Sequence, residues 1–449
     1  MKLLHLKYVR IALIGGVLIT GKIQAQDTIP LNFQMAVDLA LTKNLEYRIQ
    51  ENNLAILQKE KQVAMLSHLP NVGVSSNFAR QSGQQFQQVE GEIVVTNVTN
   101  DIVSGNLNVN MPIFNSGRRI LDTQSAKLAL EAGEKGLNRA KQQVIFDVSR
   151  RYLQVLLDQE LNRIASENLE NQKKQLLQIE GFVDAGLRTI SDLYNQQSEV
   201  ARLESVKVDA EIQLENDLWL LTEYLQLAPG VVPRIEAVEP IRESSSFEGM
   251  DINQLYELAK SNRQDLSQQG LLATSFKKDM QAVKAMYYPR INAFYNYNTF
   301  FTSLDERTLR EQFLKIYPQN TLGLGLAIPI FTNFQTRLDV TRSRANYENQ
   351  LLRKESTERK VYQEVKLSYQ NYLAALRKEK NSQVQVLAAE EAFKAISERF
   401  RLGLSSFVDI STANQAMVRA QAEQAQAVFT LYFQEILMKF ALGTLEIEE

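Results

Sequence analysis

The sequence predicts a mainly helical protein in which long coiled-coil hairpins alternate with pairs of membrane-crossing strands. Three observations carry this: a secretion signal at the N-terminus, an internal duplication, and a hydrophobic period that switches between two and about three and a half along each half.

The secretion signal comes first. Lys2, Lys7 and Arg10 precede the apolar stretch Ile11 to Ile19, and Ile23-Gln24-Ala25 follows; this is the pattern of a cleavable signal peptide. The apolar core is about half of the roughly 20 residues that a spanning helix needs. Cleavage is expected after Ala25, leaving Gln26 first. The chain has no cysteine, so neither disulfides nor a lipid-bearing cysteine can fix it. Its 449 residues carry a formal net charge of −2, and no basic or acidic balance points to nucleic acid. Charged or amide residues interrupt every other apolar run. A membrane crossing would therefore use strands.

The duplication is read from recurring elements. Met111-Pro112-Ile113-Phe114-Asn115 returns as Ile328-Pro329-Ile330-Phe331-Thr332, an offset of 329 − 112 = 217. Gly186-Leu187 returns as Gly403-Leu404 and Asp192 as Asp409, again 217 apart. Leu69-Pro70-Asn71-Val72 matches Tyr288-Pro289-Arg290-Ile291, and Leu39-Ala40 matches Leu258-Ala259, both at 219. The expected organisation is a signal peptide at 1–25, a first repeat at 26–227, a linker and equatorial region at 228–249, and a second repeat with the C-terminal tail at 250–449.

Each half opens with a helix. Asp251 and Gln254 form a capping box, Asn32 is the matching N-cap, and Asn44 and Asn262 are expected as breaks. After Pro70 the period becomes two: Val72, Val74, Ser76 and Phe78 share a face. Residues 106–111 and 321–328 alternate strictly, and Ile291, Ala293, Tyr295 and Tyr297 oppose Asn292, Phe294, Asn296 and Asn298. A half-buried soluble sheet alternates in the same way. Run length and the secretion signal favour spanning strands. Leu107, Val109, Leu322, Leu324 and Leu326 are then expected toward lipid, with Asn108, Asn110, Gly323 and Gly325 toward a lumen. The polar segments 80–105 and 299–320 are expected as external loops.

From Arg118 to Gly181 the pattern is helical without proline, a rod of roughly 95 Å at ~1.5 Å per residue. Ile145, Val148, Tyr152 and Val155 form a seam whose counterparts 217 residues on are Tyr362, Val365, Tyr369 and Tyr372. Val200, Leu203, Lys207, Ala210, Leu214, Leu218, Leu221 and Leu225 continue the stripe on the returning helix. Gly186 and Gly403 sit where each hairpin must turn, since glycine ends one helix and a nearby Asp or Ser starts the next.

The duplicated Pro-Ile-Phe element, the duplicated Gly-Leu with its Asp six residues after the glycine, and the signal peptide together resemble outer-membrane factors of the TolC family, over essentially all of the mature chain. The resemblance implies a homotrimer with four strands per chain, hence a twelve-stranded barrel in the outer membrane of a Gram-negative bacterium, above a periplasmic helical barrel. Four strands cannot close a barrel alone, since the smallest have about eight. The implied role is the channel of a tripartite efflux or type I secretion system, a passive duct serving a periplasmic adaptor and an inner-membrane transporter.

Carried over residue by residue, the resemblance makes Gly186, Leu187, Gly403 and Leu404 adaptor-contact positions, with Arg399 and Arg401 beside the second tip. Phe182 and Asp184 stand at the places matching those arginines, so asymmetric contacts are expected. Asp409 resembles an aspartate lining the periplasmic entrance, with Asp192 in the repeat-equivalent place; a second family aspartate falls at Thr412. An Asp at a helix start also serves as a cap.

No enzyme is expected. His5 leaves with the signal peptide and His68 stands alone, so no metal cluster, catalytic triad or phosphate loop can be assembled, and no cofactor is implied. The competing reading is a periplasmic coiled-coil adaptor or adhesin without a pore. An adaptor would carry one hairpin flanked by compact β domains, whereas this chain duplicates hairpin and strands together.

Overall fold

A computed structural model describes residues 28–89, 92–228, 230–236 and 247–446. The signal peptide, its cleavage point and half of the 228–249 linker lie outside the described residues.

The chain begins with a short strand, β1 (Thr28–Leu31), then helices α1 (Phe33–Lys43) and α2 (Leu45–Leu66). Asn32 caps α1 through its side chain, accepting from the Met35 N–H at 2.8 Å. Asn44 ends α1 in extended backbone and caps α2, accepting from the Tyr47 N–H at 2.9 Å. In the second half α5 (Ile252–Asn262) starts in the expected Asp251–Gln254 capping box and α6 (Gln264–Lys284) follows. The break lies at Arg263, one residue beyond the expected Asn262, and Arg263 is the residue 219 after Asn44.

The strands are β2 (Asn71–Val89), β3 (Glu92–Phe114), β5 (Arg290–Thr302) and β6 (Gln319–Ala327), with β4 (Val232–Ile235) between the halves. They form one antiparallel sheet in the order β2-β3-β5-β6, so the halves join where β3 meets β5. The segment 80–105 is not a loop, because β2 runs on to Val89 and β3 starts at Glu92. Pairing satisfies the backbone here while polar residues occupy both faces, which erases the alternation that marks a strand. Arg80 and Asp101 pair across it in bidentate fashion at 2.5 and 2.7 Å, and the Ser82 and Thr99 hydroxyls meet at 3.1 Å. The segment 299–320 does hold a connection, after β5 ends at Thr302. It contains a short helix, α7 (Leu309–Glu311), whose capping box closes on Thr308, continued by a π-helical turn at Gln312–Ile316.

The rods are α3 (Arg118–Asp184) and α8 (Gln335–Arg401), each of 67 residues, hence about 100 Å long. They return as α4 (Ile190–Tyr224) and α9 (Phe407–Leu442). The expected seam is the core: Ile145, Val148, Tyr152 and Val155 are buried, as are Val365 and Tyr372. Val200, Leu203, Leu221 and Leu225 are buried on α4. Each such apolar side chain contributes about 1.5–3 kcal/mol on burial. Buried polar pairs cross the seams at intervals. Asn414 donates to Asn168 at 3.1 Å, Gln196 to Gln172 at 2.9 Å, and the Ser125 and Ser275 hydroxyls meet at 2.8 Å. A one-turn slip would strand each pair, so they fix helix register.

At mid-height β1 pairs in parallel with β4, and the Tyr152 hydroxyl donates to the Leu31 and Glu236 carbonyls. On the other half, Arg263 is 3 % exposed and holds Asp265 through two bonds, Glu364 through a third and the Ala441 carbonyl through a fourth. Arg139 lies over the Phe440 ring at 3.7 Å and donates to its carbonyl, and Gln142 donates to the Gly443 carbonyl. The C-terminal end of α9 is thereby tied to α3, α6 and α8.

Candidate functional site

Both long hairpins turn by the same backbone chemistry. Gly186 has φ +72° and Gly403 φ +74°, values that side chains with a Cβ adopt at a cost. Leu187 N–H bonds the Phe182 carbonyl and Gly186 N–H the Val183 carbonyl, at 2.8 and 2.9 Å. Leu404 N–H bonds Arg399 and Gly403 N–H bonds Phe400 in the same way, at 2.8 and 3.0 Å. These are paired Schellman closures, which satisfy the last carbonyls of α3 and α8. The next helix starts at once in a capping box: Thr189 with Asp192 for α4, Ser406 with Asp409 for α9.

Asp409 and Asp192 are therefore both third-position capping residues, Asp409 exposed to solvent and Asp192 half-buried. The Asp409 carboxylate accepts from the Ser406 N–H at 2.9 Å and from its hydroxyl at 2.8 Å. Those two bonds, with Arg399 nearby, hold its carboxyl below the usual carboxylate range. Being a cap leaves the carboxylate at the surface and ionised.

The structure brings the two tips together. Ile179 of α3, Phe400 of α8 and Ile410 of α9 form one buried cluster, with Leu193 of α4 and Phe407 packed against it. Arg188, which the sequence reading did not single out, is the clasp: its guanidinium lies 4.0 Å from the Phe400 ring centroid and donates to the Phe400 carbonyl. The one signal for it was that the repeat-equivalent position holds Ser405. Outward of the cluster, Leu187, Leu402, Leu404 and Val408 are all at least 60 % exposed. Arg399 and Arg401 are exposed beside them, Arg401 resting on Glu398 at 3.0 Å. The tips thus present leucines ringed by charge.

At the other end the sheet register sorts the strand residues. Leu107 lies opposite Val74 and Tyr297, and Val109 opposite Val72 and Tyr295. Leu322 faces Tyr295, Leu324 faces Ala293 and Leu326 faces Ile291. The five leucine and valine positions therefore share one face. The opposite face carries Asn108 between Gly73 and Asn296, Asn110 between Asn71 and Phe294, and Gly323 and Gly325 opposite Phe294 and Asn292. Gly323 is needed there, because a Cβ would sit 2.5 Å from the Phe294 ring. Leu322 and Leu324 are 81 % and 71 % exposed on the β6 edge. Among the described residues no helix is long and apolar enough to cross a membrane, and no group of three or more potential metal ligands occurs.

The family model described as "Outer membrane efflux protein" matches residues 36–225 and 255–444, two segments that follow the duplication. Outer membrane protein TolC of Escherichia coli K12 is 20% identical over 383 residues, covering 84% of this chain and 75% of that protein. The pyoverdine export outer membrane protein OpmQ of Pseudomonas aeruginosa is 24% identical over 334 residues, covering 73% of this chain and 66% of that one. The crystal structure of VceC from Vibrio cholerae superposes with a TM-score of 0.76 at 15% identity, over 92% of this chain and 96% of that one. That of CusC gives 0.79 at 14% identity, over 93% of each. The duplicated strands and hairpins, the paired tips and the family match lead to one identification: the chain is a member of the outer membrane efflux protein family, a channel protein of the outer membrane.

Proposed function

We propose that the chain works as a homotrimer, a passive twelve-stranded and helical duct that carries cargo from an inner-membrane transporter and its periplasmic adaptor to the exterior, with no catalytic step. The carrying observation is the four-stranded sheet, with β2 and β6 as open edges, whose rod-proximal section is apolar on the face of Leu107, Val109, Leu322, Leu324 and Leu326 and carries Asn108, Asn110, Gly323 and Gly325 on the other. An open edge in lipid leaves backbone groups unsatisfied at several kcal/mol each, and three chains edge to edge remove every edge. Leu107, Val109, Leu322, Leu324 and Leu326 then face lipid. The halves 26–227 and 250–449 each give two strands and one hairpin. Detergent-extracted protein should run as a trimer on light scattering; a monomer that stays soluble without detergent would overturn the reading.

The hairpin tips are the adaptor-contact surface, with Leu187 and Leu404 as apolar anchors beside Gly186 and Gly403, and Arg399 and Arg401 as flanking charge. Asp409 lines the periplasmic entrance, and Asp192 contributes less. Three exposed carboxylates about one axis favour cations, so the duct should conduct cations preferentially and bind multivalent cations at that end. Asp409→Asn should reduce both in planar-bilayer recordings. Ser406→Ala separates the roles, because it weakens the cap and keeps the carboxylate. Unchanged selectivity in Asp409→Asn would reduce this residue to a cap.

A further inference from the structure

A cavity of about 460 Å³ lies where the sheet meets the rods. Its walls include Arg118 and Arg119 from the start of α3 and Arg290 from the start of β5, with Asn115, Asn292 and Thr332 as further polar groups. No aspartate or glutamate is among its lining residues. Pro112 pairs with Asn292, and Ala327 pairs with Arg290, on the polar face of the sheet. The cavity therefore opens on the side that holds Asn108 and Asn110.

The three charges are weakly compensated. Arg290 is exposed and makes no ion pair among the described residues. Arg118 lies 3.6 Å from Asp122, with both side chains over 40 % exposed, a geometry that neutralises little. Arg119 spends one donor on the Pro112 carbonyl at 3.3 Å, which positions the guanidinium without cancelling its charge. Nor are the arginines a by-product of duplication. The positions 217 after Arg118 and Arg119 are Gln335 and Thr336, and the position 219 before Arg290 is Asn71.

We propose that this cavity is a lumenal binding site for an oxyanion, a phosphate or carboxylate group carried by cargo as it passes from the helical to the β section of the duct. Guanidinium forks match the oxygens of such groups, and low-dielectric walls strengthen the contact. The site rests on the polar face being the lumen. Three copies around the axis would place an electropositive collar in the duct at the membrane's periplasmic edge, opposite in sign to the carboxylates at the tips. The cargo it fits is acidic.

The test uses the full chain in lipid-free detergent, titrated calorimetrically with inorganic pyrophosphate in buffer without divalent cations. Saturable binding is expected, weakened roughly tenfold or more by Arg290→Gln and by Arg118→Gln, and unchanged by Arg359→Gln, which alters an arginine outside the cavity. Absence of saturable binding, or equal affinity in all variants, overturns the site. Binding seen only for anionic phospholipid in nanodiscs, never for pyrophosphate, assigns the arginines to headgroups and overturns the cargo reading. The lumen assignment is checked separately, since the cysteine-free chain accepts a single reporter. Asn108→Cys should react with a charged, water-borne maleimide in the reconstituted trimer and Leu324→Cys should not. Reaction at Asn108→Cys without pyrophosphate binding would sink the site alone.

Discussion

The two halves of the chain make the same backbone moves with different side chains, and the differences show where the halves carry unequal loads. Asn44 ends one helix and caps the next in the first half, with its side chain bonded only locally. Its counterpart Arg263 ends a helix in the same extended backbone and also gathers Asp265, Glu364 and the Ala441 carbonyl. Strand passes to rod through two successive left-handed residues in both halves, Ser116-Gly117 in one and Asn333-Phe334 in the other. At mid-rod the first half sets Asp158 against Asp217; the second has Ala375 and Gln434 at those places. A shared backbone path is therefore compatible with a light joint in one half and a buried ionic joint in the other.

The largest contrast is expected at the helix breaks. Arg263→Ala removes a buried guanidinium and leaves the half-buried Asp265 and Glu364 carboxylates and the Ala441 carbonyl without it, which should cost about 3 kcal/mol, whereas Asn44→Ala loses one cap, about 1 kcal/mol. Thermal melting of the detergent-solubilised protein, followed by circular dichroism, compares them. Equal losses would mean that the ionic joint carries no more than the cap.

The strands should behave alike, which sharpens the comparison from the other side. Leu324 is the residue 217 after Leu107, and both lie on the apolar face. Arginine at either should cost about 2–4 kcal/mol if both sit near mid-bilayer, and little at Asn108. Folding yield into lipid vesicles measures this, and tolerance of arginine at Leu324 alone would remove the edge strand from the lipid face.

The acid pair gives the halves different responses to pH. Asp158 is 3 % exposed, and burial first, then its bond to and charge repulsion by Asp217, push its carboxyl up to about 7. The folded value exceeds the unfolded one near 4, so the native state holds an extra proton between them. The associated stability is complete below the unfolded value and is lost as pH rises toward the folded one. Asp158→Asn should flatten that decline and raise the melting temperature at and above neutral pH. A pH profile unchanged by the substitution would show that the carboxyls do not share a proton.

The smallest effect is expected at the strand-to-rod turns. Gly117→Ala should cost about 1 kcal/mol and Phe334→Gly should relieve a similar strain, less whatever the edge contact between the Phe334 and Phe331 rings contributes. A lower melting temperature for Phe334→Gly would show that the ring contacts outweigh the backbone.

What the sequence made legible follows from how local each signal is. The Gly-Leu turns, the Asn32 cap and the Asp251 capping box are set by a few adjacent residues, and all three stand where the residues place them. The seam from Ile145 to Val155 was legible because one rod repeats one period for many turns. The outer parts of β2 and β3 were not, because Gln81, Ser82, Gln84 and their neighbours put polar groups on both faces. The break falls at Arg263 and not at Asn262, although Asn262 offers familiar cap chemistry, because the arginine acts through partners about 100 and 180 residues away. Arg188 lacked any motif: its meaning comes from Phe400, on another helix. At the candidate entrance Asp409 could be read as a cap or as an entrance residue, and its bonds to Ser406 make it a cap whose carboxylate still faces water.

The pairing of β1 with β4 sets a timetable. Leu31 has its neighbour at Ile235, 235 − 31 = 204 residues later, and the Tyr152 hydroxyl joins the Leu31 and Glu236 carbonyls. A secreted chain emerges N-terminus first, so its earliest strand waits until the whole first hairpin has been delivered. Closing so long a loop adds little entropy cost beyond a shorter one, but the order is fixed. β1 is therefore among the last elements of its half to settle, and until β4 arrives it is a free strand edge.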